Sequence, residues 1–177
     1  MAKKKVNSKK FWKGNIDMKK KIAGVTIGFT FIAILGFLML DSSDNVAQGN
    51  KNLKWETNLE EAVKIAEKEK KAVLVNFTGS DWCIWCKRLS GEVFNQKEFE
   101  NYAKENLVLV MLDFPRGIPQ SEAVKKYNQD LAWKYGVRGF PTIVVLDSKG
   151  NLIAKTGYQA GGAANFVKHI EGLLKKS

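Results

Sequence analysis

Two short apolar runs, AVLVNF at residues 72–77 and LVLVMLDF at residues 107–114, constrain this chain more than any other feature. Both are rich in β-branched residues and lack the apolar/polar alternation of a strand wetted on one face, so each reads as a strand buried on both faces. Such strands need cover on both sides. Before the first run, Leu59, Ala62, Val63 and Ala66 recur at helical spacing behind a capping-box pattern of Thr57 and Glu60. Helical composition returns from Cys83 to about Leu89, is interrupted near Gly91 and resumes through QKEFENYAKEN. After the second run and the loop PRGIPQ, SEAVKKYNQDLAWKYG reads as a helix closed by its glycine. PTIVVLD and NLIAKTGY are strands joined by the turn-forming SKG, and a helix from about Gly162 to Lys175 puts Phe166, Ile170, Leu173 and Leu174 on one face. The order α, β, α, β, α, β, β, α predicts a three-layer α/β sandwich whose central mixed sheet is parallel except for a hairpin at its edge.

The N-terminal third reads differently. Residues 22–40, IAGVTIGFTFIAILGFLML, form 19 uncharged positions, enough to cross a hydrocarbon core of about 30 Å as a helix. The net charge of +11 is concentrated beside it: nine lysines and one aspartate lie within residues 1–21, whereas the rest of the chain carries 20 basic and 17 acidic side chains. A nucleic-acid binder would spread basic residues over a recognition face. This distribution points to a membrane instead, and no nucleic-acid partner is expected. Lys19, Lys20 and Lys21 precede the run and Asp41 and Asp44 follow it, which holds residues 1–21 in the cytoplasm and exports everything after Leu40. A cleaved signal peptide is the competing reading. Against it, the run exceeds the roughly 7 to 15 residues of a typical signal core, and the nearest small residue, Ala47, has Asn45 at its −3 position. The expected organisation is a basic cytoplasmic segment (1–21), a single transmembrane anchor (22–40), a polar linker (41–52) and an α/β domain (53–177) on the outer face of a bacterial-type cell membrane, or secreted if cleaved.

The only two cysteines, Cys83 and Cys86, stand in WCIWCK where a strand gives way to a helix. There the unpaired N–H groups of the first turn favour a thiolate at the first cysteine. Cys83 is therefore the expected nucleophile and the more exposed thiol, and Cys86, one turn on, the resolving thiol. A structural zinc site needs four ligands, and the chain adds only His169, some 80 residues away. Covalent haem attachment needs histidine where Lys87 stands. A two-thiolate copper(I) site and a purely structural disulfide remain chemically open. Neither a metal nor a cofactor is expected.

WCIWCK after AVLVNF, together with GVRGFPTIVVLDSKG about 55 residues downstream, resembles the thioredoxin superfamily, and in particular its exported members with a tryptophan-rich WC-x-x-C. The resemblance covers residues 53–177. It implies a thioredoxin-like fold, thiol-disulfide oxidoreductase activity, a cis Pro141 facing the cysteines, and a Phe140 whose backbone pairs with the substrate polypeptide. Many family members carry a buried aspartate on the strand before the active site, thought to accept the proton of the resolving cysteine. The matching position here is Asn76, which cannot serve as a base; Asp81, in a loop one residue longer, or water is the expected substitute. Ile84 and Trp85 between the cysteines, with neither histidine nor proline, predict a potential below the roughly −120 mV of a strong oxidant.

Trp82 and Trp85 are candidates for shielding the thiolate and contacting a partner, together with Phe140 and Pro141. His169 is expected on the surface of the last helix, and Trp133 and Tyr135 in the core. The functional expectation is a membrane-anchored extracytoplasmic reductase or isomerase acting on cysteines of exported proteins. It would exchange electrons with a membrane donor or acceptor, since no soluble reductant is expected outside the cytoplasm. The alternative is a copper(I) chaperone or a non-catalytic binding module on the same scaffold.

Overall fold

The computed structural model describes residues 53–176. The expected basic segment 1–21, membrane span 22–40 and linker 41–52 lie outside the described residues, and among the described residues no helix is long and apolar enough to cross a membrane.

Five strands form one sheet in the order β1-β3-β2-β4-β5: β1 (Trp55–Glu56), β2 (Ala72–Thr78), β3 (Leu107–Asp113), β4 (Thr142–Leu146) and β5 (Leu152–Thr156). The two apolar runs are β2 and β3. They pair in parallel from Ala72 with Leu107 to Thr78 with Asp113, while β4 runs antiparallel to both β2 and β5. The sheet is mixed, as its hairpin required. β1, parallel to β3, is an addition to the expected order: two residues are too few to show a period.

Helices cover both faces. α1 (Leu59–Glu69) and α4 (Glu122–Lys134) pack with Val73, Val75 and Phe77 on one side. On the other, α2 (Ile84–Leu89), α3 (Lys97–Asn106) and α5 (Gly162–Leu174) pack with Leu74, Leu109, Ile143 and Val145. This alternation along β2 is the pleat of a strand buried on both faces. The interruption near Gly91 is a π-helical turn, Ser90–Phe94, between α2 and α3.

Local chemistry sets the ends. α1 is capped by Asn58, whose side chain accepts the Glu61 N–H, and not by Thr57; the acceptor lies one residue later than the capping-box pattern implied. α4 starts at Ser121, which accepts the Val124 N–H, and stops where Gly136 takes a left-handed φ of 60° and Val137 N–H returns to the Ala132 carbonyl. Tyr135 is core as expected, but Trp133 is 78 % exposed, because it lies on the outer side of α4 while Leu131 and Ala132 face the sheet. His169 is only partly exposed, tied at 2.9 Å to the Thr156 hydroxyl.

Candidate active site

β2 ends at Thr78 and its chain turns through residues 79–82 into α2, so the strand-to-helix junction carries the cysteines. Cys83 is the N-cap residue of α2, in extended backbone conformation, and its sulfur accepts the Cys86 N–H at 3.1 Å. The two cysteines form a disulfide with Cα atoms 5.2 Å apart. Each is 6 % exposed, so in the oxidised state Cys83 is no more open than Cys86. The difference between the thiols lies in their surroundings: Cys83 caps the helix, while Cys86 sits inside the first turn and borders a cleft above β2 and β3.

Trp82 and Trp85 take different roles. The Trp82 indole N–H donates to the Phe114 carbonyl at 2.8 Å, its ring meets Phe140 edge-on at 5.9 Å, and Arg116 lies 3.8 Å above it. Trp85 is 49 % exposed, tilted against Tyr158 at 5.4 Å, and beside it Ile84 is 72 % exposed. Arg88 reaches both Trp85 and Tyr158 and pairs with Glu92, which also accepts the Tyr158 hydroxyl at 2.6 Å. That hydroxyl and Arg88 hold the Glu92 carboxyl below its usual range.

The Phe140–Pro141 peptide is cis, as the resemblance implied. Phe140 packs on Phe114 at 5.0 Å and on Trp82, which joins the proline loop to the cysteine loop. Beside Pro141 runs a groove of about 660 Å³ whose charged lining residues, Arg138 and Lys155, are both basic.

Asp81 points elsewhere than the proton-transfer expectation required. Its carboxylate accepts the N–H groups of Arg116 and Gly117, and these bonds, Gly117 first, keep it ionised below the usual carboxylate range. It is not among the residues lining the cleft at Cys86. Asn76 does line that cleft, and it is 5 % exposed.

Sequence reasoning passed over four neighbours of the site. Asp113 accepts both the backbone N–H and the hydroxyl of Ser80, bracing the loop before the cysteines. Phe114, Arg116 and Tyr158 come from distant segments, and only the register of β2 on β3 brings Asp113 opposite Thr78. Among the described residues, no three His, Cys, Asp or Glu side chains gather as a metal site.

A strand-to-helix Cys-x-x-Cys disulfide whose loop is joined through Trp82 and Phe140 to a cis-proline loop, on a mixed α/β sheet, defines a protein of thiol-disulfide exchange. Residues 59–173 match the family model of the thioredoxin-like domain, and the chain belongs to that family as a thiol-disulfide oxidoreductase. It is 36 % identical over 124 residues to the disulfide bond reductase DsbH of Chlamydia pneumoniae, spanning 70 % of this chain and 74 % of that protein. A solved DsbH oxidoreductase superposes with a TM-score of 0.66 at 35 % identity, covering 76 % of this chain and 95 % of the other. A thioredoxin from Thermus thermophilus shares the fold, with a TM-score of 0.52 at 21 % identity over 70 % of this chain and 88 % of its own.

Proposed function

We propose that this chain is a membrane-tethered oxidoreductase that reduces or isomerises disulfides of exported proteins outside the cytoplasm. Cys83 exchanges with the client, and Cys86 resolves the mixed disulfide. The observation that carries the reading is the cap geometry: Cys83 Sγ already accepts a backbone N–H, and that donor would stabilise the thiolate once the disulfide opens. The reducing direction is supported by the likeness to a protein named disulfide bond reductase. It also agrees with Ile84 and Trp85 between the cysteines, which bring no cationic side chain to stabilise the reduced form further.

The client's cysteine-bearing segment lies along the Phe140–Pro141 edge and the basic groove, with Ile84 and Trp85 as apolar contacts. Residues 22–40 anchor the protein with residues 1–21 in the cytoplasm and residues 53–177 outside, so its electrons come from a membrane donor.

The test is the redox potential of the Cys83–Cys86 couple in the full chain, equilibrated against thiol buffers. A value near the thioredoxin figure of about −270 mV is expected. A value near the roughly −120 mV of a strong oxidant overturns the reducing assignment.

A further inference from the structure

The resolving step needs Cys86 to lose a proton, and no carboxylate is among the residues lining the cleft beside it. Cys86 borders a cleft of about 290 Å³ floored by the inner side chains of β2 and β3, among them Asn76, Thr78 and Met111, and reached by Ser80. Asn76 comes from the same face of β2 as Leu74, beneath α2. Its Oδ1 is the one buried side-chain oxygen or nitrogen among the described residues without a hydrogen-bond partner. An unpaired buried carbonyl costs about 1–3 kcal/mol, so its persistence in a well-packed sheet calls for a partner. Thr78, Ser80 and Ser90 bring hydroxyl groups to the cleft beside Asn76, and it is large enough for several water molecules. Two charged groups face it or lie just behind it. Lys87 of α2 is at its edge, its ammonium donating to the Asp81 carbonyl, and Asp113 of β3 is engaged by Ser80.

We infer that the Cys86 proton is exchanged with solvent through this cleft, by a water held between Asn76 Oδ1 and the Cys86 thiol. Asn76 is a positioning residue; it takes no proton itself. In the mixed disulfide, the Cys86 S–H bond breaks and its proton passes to the held water and on to bulk. The Cys86 thiolate attacks Cys83 Sγ, the Cys83–client S–S bond breaks, and the client leaves as a thiolate that is protonated by solvent. The protein loses two electrons and two protons, and the client disulfide gains them. The inference rests on the assignment of Cys86 as the resolving thiol.

The probe is dithiobis(nitrobenzoate) added to the reduced full chain, with thionitrobenzoate release followed by stopped flow. The first phase reports attack by Cys83 and the second reports resolution by Cys86. Asn76→Leu, which removes the polar anchor, is expected to leave the first phase within about twofold and slow the second about tenfold or more, in line with the modest end of proton-transfer effects. Asn76→Ser, which keeps a hydroxyl in the cleft, is expected to recover most of the loss. Asn76→Asp adds a buried carboxyl whose ionisation is raised by burial, so the second phase gains an inflection that the wild-type pH profile lacks. A second phase unaffected in Asn76→Leu, or a slowing of both phases together in every variant, overturns the proton route while leaving the oxidoreductase assignment standing. A wild-type chain that releases no thionitrobenzoate in either phase overturns both.

Discussion

The Trp82 indole N–H is bonded to the Phe114 carbonyl at 2.8 Å, and the ring lies close against Gly79. A β-carbon at Gly79 would lie 2.5 Å from the nearest indole carbon, so no side chain fits while Trp82 keeps its place. Gly79→Ala is therefore expected to displace the ring from Phe114 and Phe140 at a cost of about 1–3 kcal/mol, the range for overpacking. Urea denaturation measures the cost. A changed tryptophan emission response to reduction reports the displacement.

Replacing either cysteine separates their roles. Cys83→Ser is expected to abolish disulfide reduction, because the nucleophile at the helix cap is gone, whereas Cys86→Ser is expected to accumulate a stable mixed disulfide with the client. Non-reducing gel electrophoresis with a model client reads both, and full turnover in Cys83→Ser would refute the assignment.

Asp81 serves the loop and not the proton. Its depressed carboxyl contributes stability that is present above its unfolded pKa and is lost as pH falls through the lower folded value. Asp81→Asn should therefore flatten the acid side of the stability curve, measured as urea midpoints from neutral to acid pH. The rate of the Cys86 step near neutrality should be unchanged by the same substitution.

Tyr127 ties two distant helices together. Its hydroxyl accepts the Leu59 N–H at 2.7 Å and donates to Glu60 at 2.6 Å, and burial followed by the Glu60 bond pushes its ionisation up to about 12. Tyr127→Phe strands the Leu59 N–H and is expected to cost about 1–3 kcal/mol. Thiol exchange should change little, since the hydroxyl bonds Leu59 and Glu60, neither of which lines the cleft at Cys86; a rate loss without a stability loss would contradict this.

The groove beside Pro141 carries Arg138 and Lys155 and no acidic lining residue. Disulfide peptides flanked by aspartate or glutamate should be reduced faster than neutral ones, with the advantage fading as salt screens it. Arg138→Ala should raise KM for the acidic peptide by about threefold, as expected for one partly screened charge, with kcat nearly unchanged.

The parts of this fold legible in the sequence were those written as period or punctuation. β2 and β3 announced themselves as unbroken apolar runs, α4 by its serine start and glycine stop, and the site by a cysteine pair at a strand-to-helix junction. What was not legible depends on register. β1 is too short to have a pattern, and Trp133 had a helical address but no stated direction. Asp81 looked available for Cys86 because it is near in sequence, yet the longer loop turns it toward Arg116 and Gly117. The Ser80–Asp113 bond joins residues 33 positions apart and follows only from how β2 lies on β3.

Strand β2 sorts its residues by parity. Its odd members, Val73, Val75 and Phe77, are apolar without exception and lie beneath α1 and α4, away from the sulfur atoms. Its even members are apolar at Ala72 and Leu74 and turn polar at Asn76 and Thr78 as the strand approaches the cysteines. A saturation scan of these few codons should split accordingly: odd positions trade off abundance, whereas the last two even positions tune turnover in protein that still accumulates. One strand thus writes two separable messages in alternate letters, which lets the chemistry at this site drift without eroding the scaffold that carries it.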